Sequence, residues 1–256
     1  MTEPPFKLEQ PDFSKQVIKQ LDWDFAEGAV AVKIWKNIGM EIRRSNGKFV
    51  MPDDSVFEPI YMDIASHNKT MIAHLAEPDQ AWLPPDPNHP YSRYYQENPQ
   101  WNMYLHPDHP SKAAILAARD HILAENPNLR VVGAHLGSME ADVDEIAKHF
   151  DRYPNFAVDT AARMESLMLQ PPEKVRSFLI KYQDRVVYGT DLGLRPGQNT
   201  QMAIDEWEAT YVRDWKYLAG AESTDQAGHK VRGLSLPKDV LRKLFHDNAV
   251  HWFPGV

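Results

Sequence analysis

The sequence contains no cysteine, which excludes disulfides, thiolate metal sites and a cysteine nucleophile. No apolar run approaches the roughly 18 residues that a membrane span needs, and the N-terminal residues lack the apolar stretch of a signal peptide. Basic residues are the scarcer charge, 28 Lys and Arg against 36 Asp and Glu, which argues against nucleic-acid binding through bulk charge. We therefore expect neither membrane nor nucleic-acid partners, and the cytoplasm as the default location.

Short apolar runs rich in Val and Ile alternate with longer segments of helical period, a pattern typical of β-α units with a parallel sheet. The predicted strands are 30–35, 70–75, 130–135, 155–159 and 185–190. The predicted helices are 57–68, 111–125, 142–150, 172–182 and a closing helix over 236–253. Ser111 is the predicted cap of the second helix, and Pro172 is an early residue of the fourth. We expect one α/β domain over residues 1–256.

Two segments interrupt this alternation. Residues 79–110 are rich in proline and in Trp and Tyr, so we expect an ordered loop insertion that could roof a pocket. Residues 195–233 form a second insertion before the closing helix. It contains a predicted helix with Trp207, Tyr211, Trp215 and Leu218 at helical spacing, followed by a polar stretch, 219–233, that we expect to be mobile.

Metal-capable or ionisable side chains stand at or near the ends of the predicted strands: Lys33, His74, His135, Asp159 and Asp191. Because the carboxyl ends of parallel strands form one face, we expect these side chains to converge although they are far apart in sequence. Imidazole and carboxylate ligands suit Zn²⁺, Mn²⁺ or Fe²⁺. Each histidine has a plain structural alternative, since a single histidine after an apolar run is more often hydrogen-bonded in the core than bound to a metal.

Other catalytic signatures are weak. Residues 233–237 begin like a nucleophile elbow, but they lack its final glycine and do not lie between a strand and a helix. No P-loop and no Gly-x-Gly-x-x-Gly fingerprint occurs. The other histidines are expected on the surface or in packing roles, namely His67, His89, His106, His109, His121, His149, His229, His246 and His251.

The blocks GAVAVKIWKNIG, MIAHLAEP, VVGAHLGS, FAVDTAAR, VVYGTDLG and HDNAVHWF follow one another in this order. Together they resemble the amidohydrolase superfamily, in its amidohydrolase-related (family 2) branch, which includes aromatic-acid decarboxylases and lactonases. The resemblance runs from about residue 16 to the end. It implies a TIM-type (β/α)₈ barrel with a metal-dependent hydrolase fold, in which the strands recognised here are the fourth to the eighth.

The resemblance also implies roles for three of the residues at the strand ends. His74 would be a direct metal ligand, and its alternative is a core histidine bonded to backbone. Asp191 would bind the metal and move a proton, and its alternative is a helix cap. His135 would be a second ligand or would polarise the substrate carbonyl, and its alternative is a hydrogen bond within its own turn. The implied metal is Zn²⁺ first, with Mn²⁺ or Fe²⁺ as alternatives.

The substrate-binding residues are less sharply indicated. Lys33 would be a metal-bridging carboxylated lysine or a substrate-positioning group, unless it only pairs with a carboxylate at the barrel mouth. Arg163 is expected to bind a substrate carboxylate through two hydrogen bonds, and its alternative is a salt bridge to Asp159 or Glu165. The aromatic residues of the first insertion would wall the pocket or only pack the loop; they are Trp82, Tyr94, Tyr95 and Trp101.

Family members begin with a strand bearing His-X-His, which supplies two metal ligands, and this motif is absent here. The residues before Lys33 are too few for three β-α units of about 30 residues each. The chain is therefore expected to be either a piece of a longer protein or a variant with an incomplete barrel. An open barrel would leave strand edges exposed, so a homo-oligomer is also expected.

The leading functional expectation is a metal-dependent hydrolase, in which metal-activated water attacks the amide, ester or lactone carbonyl of a small molecule. A non-oxidative decarboxylase of the same family is the alternative among enzymes. The third possibility is a non-catalytic, truncated barrel that serves as a binding or structural subunit, because the His-X-His pair is missing.

Overall fold

The computed structural model describes residues 8–226 and 228–256. Five parallel strands form one sheet in chain order, and all five strands predicted from the sequence are confirmed. They are β1 (Ala31–Ile34), β2 (Thr70–Ala73), β3 (Arg130–Gly133), β4 (Phe156–Asp159) and β5 (Val186–Val187). All five are shorter than predicted. In β2 and β3 the last residues of the apolar runs leave the sheet and include His74 and His135.

Helices connect these strands, as the alternating pattern predicts. They are α1 (Phe13–Ala26), α2 (Glu58–Ser66), α3 (Ser92–Glu97), α4 (Lys112–Glu125), α5 (Val143–Arg152), α6 (Met164–Met168), α7 (Pro172–Lys181), α8 (Thr200–Ala219), α9 (Lys238–Arg242) and α10 (Asn248–Trp252). The Ser111 side chain caps α4 by accepting a hydrogen bond from Ala114 N at 3.2 Å, and Pro172 opens α7. Both predicted helix starts are confirmed.

The centre of the sheet is the most deeply buried part of the core. In β3 and β4, Val131, Val132, Phe156, Ala157 and Val158 are all fully buried. Continuous burial on both faces is the reason why these strands read as unbroken apolar runs. β1 and β5 are the edges of the sheet, and among the described residues neither has a strand on its outer side.

The closing helix predicted over 236–253 is present, but a π-helical turn at Lys243–Asp247 joins α9 to α10. Two side chains of α10 attach it to the sheet. The Asn248 amide donates to Gln183 O and Val186 O, each at 2.7 Å. The Trp252 indole donates to Asp184 O at 2.8 Å and packs on Val132, Ala157 and Val187. These contacts give Asn248 and Trp252 a structural role at the sheet.

Two parts of the fold differ from the sequence-based expectation. Helix α1 was not predicted, because its apolar positions alternate with many charged ones, and it buries only Phe13 and Phe25. The polar stretch expected to be mobile folds into an antiparallel hairpin of β6 (Ser223–Gln226) and β7 (His229–Arg232). Helix α8 is present as predicted, and no helix in the described part of the chain is long and apolar enough to cross a membrane.

Candidate active site

The carboxyl edge of the sheet brings two histidines into contact. Ala73 of β2 pairs with Gly133 of β3, so the chain segments that leave these strands run side by side. His74 follows β2 directly, and His135 lies two residues beyond β3. Their rings meet edge to face, with centroids 4.3 Å apart and an angle of 74° between the planes. The predicted convergence of these two histidines is therefore present in the structure.

A left-handed turn presents His135 at this edge. His135, Leu136 and Ser138 all have a positive φ, an unusual conformation for residues with a Cβ. Asp159 at the end of β4 holds the turn, because its Oδ1 accepts from His135 N at 2.8 Å and from Ala161 N at 3.0 Å. The backbone strain is thus held by a partly buried side chain, as is common at functional sites.

The same turn fixes the tautomer of His135. Its Nδ1 lies 2.8 Å from the carbonyl oxygen of Ala161, so Nδ1 carries the hydrogen and donates. Burial lowers the pKa of His135, with further lowering by Arg163 and Lys33, and the ring is neutral at pH 7. The lone pair is therefore on Nε2, which makes no hydrogen bond among the described residues. This is the arrangement of metal-ligating histidines, whose other nitrogen donates to a carbonyl or carboxylate.

His74 is neutral as well. Burial lowers its pKa to about 2, and His135, Lys36, Lys33 and Arg163 each add to the effect. A neutral imidazole is the form that binds a metal. The two rings therefore fit a divalent metal in donor chemistry and in protonation state.

The remaining predicted ligands lie at the rim of the site. Lys33 on β1 and Asp191 after β5 are both exposed, and Asp191 has a positive φ. No helix begins after Asp191 until Thr200. The carboxylate of Asp191 raises the pKa of His135, so its charge lies within range of that ring. Among the described residues, one group of three has its possible ligand atoms within 4.8 Å of one another: Asp22, Asp63 and His67, between α1 and α2. The ligand atoms of His74, His135 and Asp191 therefore lie farther apart than this.

The charge of Arg163 acts on both histidines, since it lowers the pKa of each, and its guanidinium has hydrogen-bonding capacity to spare. Its Nη1 donates to Ala162 O at 2.8 Å, and its guanidinium carbon lies 5.0 Å from the centroid of the Tyr91 ring. Its Nε is buried and has no partner among the described residues. Neither Asp159 nor Glu165 forms an ion pair with it there, and Glu165 is paired with Arg213 at 2.8 Å instead.

Comparison with known proteins identifies the family to which the chain belongs. A family model described as amidohydrolase matches residues 69–255, well over half of the chain. The chain belongs to the amidohydrolase family. The match includes His74, His135, Arg163 and Asp191, and the resemblance inferred from the sequence blocks is confirmed. No curated protein sequence matches the chain.

Three solved structures show the fold. An uncharacterized TIM-barrel protein from Bordetella bronchiseptica is 17% identical with a TM-score of 0.51, over 94% of this chain and 63% of that chain. 2,6-Dihydroxybenzoate decarboxylase from Rhizobium is 15% identical with a TM-score of 0.50, over 94% and 67%. 4-Oxalomesaconate hydratase from Rhodopseudomonas palustris is 12% identical with a TM-score of 0.51, over 96% and 64%. The predicted TIM-type α/β fold is thus confirmed, and the chain spans about two thirds of the length of these proteins.

The proline-rich insertion lies beside the site. Trp82 stays within the insertion, since its indole donates to Pro110 O at 3.3 Å. Tyr94 and Trp101 instead contact Lys36, which follows β1, and Trp101 also packs edge to face on Trp35 at 5.3 Å. The Tyr95 hydroxyl likewise reaches this edge, where it donates to Glu77 Oε2 at 3.2 Å. The predicted aromatic cluster therefore divides into one loop-packing residue and three residues near the strand ends.

Two residues of this edge, Lys36 and Glu77, were not among those predicted from the sequence. Their ammonium and carboxylate groups form a buried ion pair. The sequence did contain a signal for these two residues. Lys36 stands three residues after Lys33, and Glu77 stands three residues after His74. The pairing itself joins segments 41 residues apart, and nothing local specifies it.

Gly133 should not tolerate a side chain, because the turn that carries His135 closes tightly over it. A Cβ at this position would lie 2.8 Å from Gly137 Cα and 2.9 Å from the Phe156 ring. We expect Gly133→Ala to lower the free energy of unfolding by about 2 kcal/mol, the usual cost of overpacking. Urea denaturation measures this loss, with Gly193→Ala as the control, since its Cβ would meet no atom within 4 Å. Equal stability of the two variants would contradict the close approach.

Proposed function

We propose that this chain is a metal-dependent hydrolase of small molecules that carry a carboxylate next to an amide, ester or lactone bond. The observation that carries the proposal is a neutral imidazole pair near an arginine whose guanidinium makes one hydrogen bond among the described residues, from Nη1 to Ala162 O. Neutral imidazoles supply metal ligands, and the other N–H donors of the guanidinium supply a binding site for a carboxylate. The two features lie at one edge of the sheet, where a single small molecule can reach both.

His74 and His135 would hold the metal through their ring nitrogens, with Asp191 as the third donor from the rim. Their donor set suits Zn²⁺ first, and also Mn²⁺ or Fe²⁺. A metal bound there would polarise the carbonyl and lower the pKa of water to about 7, as in the best characterised zinc enzymes. Lys33 would neutralise negative charge at the mouth of the site.

The side chains of the protein would supply the other steps. Arg163 would bind the substrate carboxylate through its planar guanidinium and so orient the carbonyl toward the histidines. Asp191, an exposed carboxylate whose charge raises the pKa of His135, would accept a proton from water and return it to the leaving group. Tyr94 and Trp101 would exclude bulk water from one side.

Non-oxidative decarboxylation is the second candidate. The observation that favours it is that Arg163 and Asp191 both lie close enough to His135 to change its pKa. A carboxylate held by Arg163 would then lie near Asp191, whose protonated form would deliver the proton to carbon. In this reaction a C–C bond breaks, carbon dioxide leaves, and a proton replaces it on the carbon. Hydrolysis consumes water and releases no gas, so the products distinguish the two reactions.

The test is turnover of carboxylate-bearing lactones, esters, amides and aromatic acids after loading with Zn²⁺ or Mn²⁺. For the substrate found, we expect Arg163→Gln to lower kcat/KM by about 100-fold, which corresponds to about 2.7 kcal/mol and lies within the cost of removing one partner of a desolvated charge pair. Arg163→Lys should recover only part of this loss because it cannot bind through two parallel hydrogen bonds.

The matched control is the analogue in which an amide replaces the carboxylate. Its kcat/KM should be equally low for wild type and Arg163→Gln. If Arg163→Gln affects both substrates alike, Arg163 does not bind the carboxylate. Release of carbon dioxide without a hydrolysis product would replace the hydrolase proposal by the decarboxylase.

A further inference from the structure

A second group of buried charges lies beside the histidine pair. The side chains of Lys36 and Glu77 are 4% and 5% exposed, and the Lys36 ammonium binds Glu77 Oε1. Lys36 follows β1 and Glu77 follows β2, so the pair spans the same strand ends that present Lys33 and His74. No role in the proposed reaction uses these two residues.

The remaining hydrogen bonds of the pair go to the proline-rich insertion, 79–110. The Lys36 ammonium donates to the Tyr94 hydroxyl at 2.6 Å and lies 4.3 Å from the centroid of the Trp101 ring. The Tyr95 hydroxyl donates to Glu77 Oε2 at 3.2 Å. One buried ion pair thus holds three aromatic side chains of the insertion, which we call the aromatic wall: Tyr94, Tyr95 and Trp101.

Stability alone does not account for this pair. Burying two charges costs several kcal/mol of desolvation per ion, and apolar replacements of similar volume are often neutral or stabilising. The desolvation is evident in the pKa of Lys36, which burial lowers against the raising effect of Glu77. What the pair supplies is geometry, because Lys36 Nζ fixes the Tyr94 hydroxyl and Glu77 Oε2 fixes the Tyr95 hydroxyl.

The insertion has another attachment on the far side of the site. The Tyr91 hydroxyl lies 3.0 Å from Ser166 Oγ, and the Tyr91 ring lies under the Arg163 guanidinium. The insertion therefore extends from the end of β1 to the segment after β4. Between these two attachments lies the edge that carries His74 and His135.

We propose that Lys36 and Glu77 are positioning residues that fix the aromatic wall over the active site. The proposal rests on the proposed function only in taking this edge of the sheet as the active site. The wall limits one side of the substrate space, so the ion pair determines which planar or apolar groups fit beside Arg163. Loss of the pair should free residues 91–101 and leave the sheet and α4 unchanged.

Hydrogen exchange followed by mass spectrometry tests this on the whole chain and needs no substrate or metal. We expect Lys36→Met, and the double variant Lys36→Met/Glu77→Leu, to speed exchange of the amides in 91–101 at least tenfold. Exchange in 112–125, which forms α4, should stay at the wild-type rate. Arg93→Ala is the matched control, because it removes an exposed ion pair with Glu97 from the same insertion and should change neither segment.

A second variant keeps the ion pair and removes only its two hydrogen bonds to the aromatic wall. Tyr94→Phe/Tyr95→Phe should also speed exchange in 91–101, and it decides the question if the Lys36 variants do not fold. Wild-type exchange in 91–101 in these variants would overturn the proposal. So would an equal rise in 91–101 and 112–125, which indicates a general stabilising role. Because the readout is exchange, failure here is distinct from failure to find an activity.

Discussion

Arg119→Met is expected to lower the free energy of unfolding by about 3 to 5 kcal/mol, the range for breaking a buried ion pair. Arg119 is 1% exposed, and burial lowers its pKa while Asp120 raises it. Its Nη1 donates to Gly137 O at 2.7 Å and its Nη2 to Asp120 at 3.0 Å. Its guanidinium carbon also lies 4.8 Å from the centroid of the Phe156 ring. Methionine fills part of the volume of the arginine side chain, but it cannot donate a hydrogen bond to Gly137 O or to Asp120 Oδ1.

Urea denaturation at pH 7 measures the loss of unfolding free energy in Arg119→Met. The control is Arg93→Ala, whose side chain is 87% exposed and whose loss should change stability by no more than about 0.5 kcal/mol. Gly137 belongs to the turn that presents His135, so the Arg119 variant should also bind metal more weakly. A loss of stability as small as that of the control would show that Arg119 does not support this turn.

Asp159→Ala is expected to cost about 3 kcal/mol at pH 5. The change leaves the amides of His135 and Ala161 without their acceptor, and each buried unsatisfied donor costs about 1 to 3 kcal/mol. Asp159→Asn is the matched control, because it keeps an oxygen where Oδ1 stands and should be nearly as stable as wild type at this pH. If Asn is as destabilising as Ala, the carboxyl oxygen is not what holds the turn.

Wild type and Asp159→Asn should also differ in how their stability depends on pH. Burial raises the pKa of Asp159 from 3.8 to about 6, against the lowering effect of the amides of His135 and Ala161. Between these values the folded chain binds more protons than the unfolded chain, so this group's stabilisation is present below about pH 4 and is lost as the pH rises to 6. The total is about 3 kcal/mol. Wild type should lose this much more stability than Asp159→Asn from pH 4 to pH 7, and parallel curves would contradict a raised pKa.

The sheet could be predicted from the sequence because its pattern is local. A strand that is buried on both faces needs an unbroken apolar run, and such runs contain Val131, Val132 and Val158. The position of the histidines could be predicted too, because parallel strands place their carboxyl ends together. His74 and His135 follow neighbouring strands, and the structure brings their rings into contact.

The rest depends on long-range contacts that no local pattern encodes. The bond between Lys36 and Glu77 joins two loops, and the role of Asp159 depends on the turn around His135. Helix α1 (Phe13–Ala26) lacks a clear apolar stripe and was therefore missed. The hairpin of β6 and β7 has polar strands, which the sequence alone indicates as a loop.

The central claim is that His74, His135 and Asp191 hold one divalent metal ion. Metal content per chain, measured by elemental analysis after incubation with Zn²⁺ or Mn²⁺ and gel filtration, tests it directly. We predict close to one ion per chain for wild type and for His67→Ala, which disrupts the partly exposed group of Asp22, Asp63 and His67. The double variant His74→Ala/Asp191→Asn should retain none. Equal metal in the double variant and wild type, or none in wild type, would contradict the account.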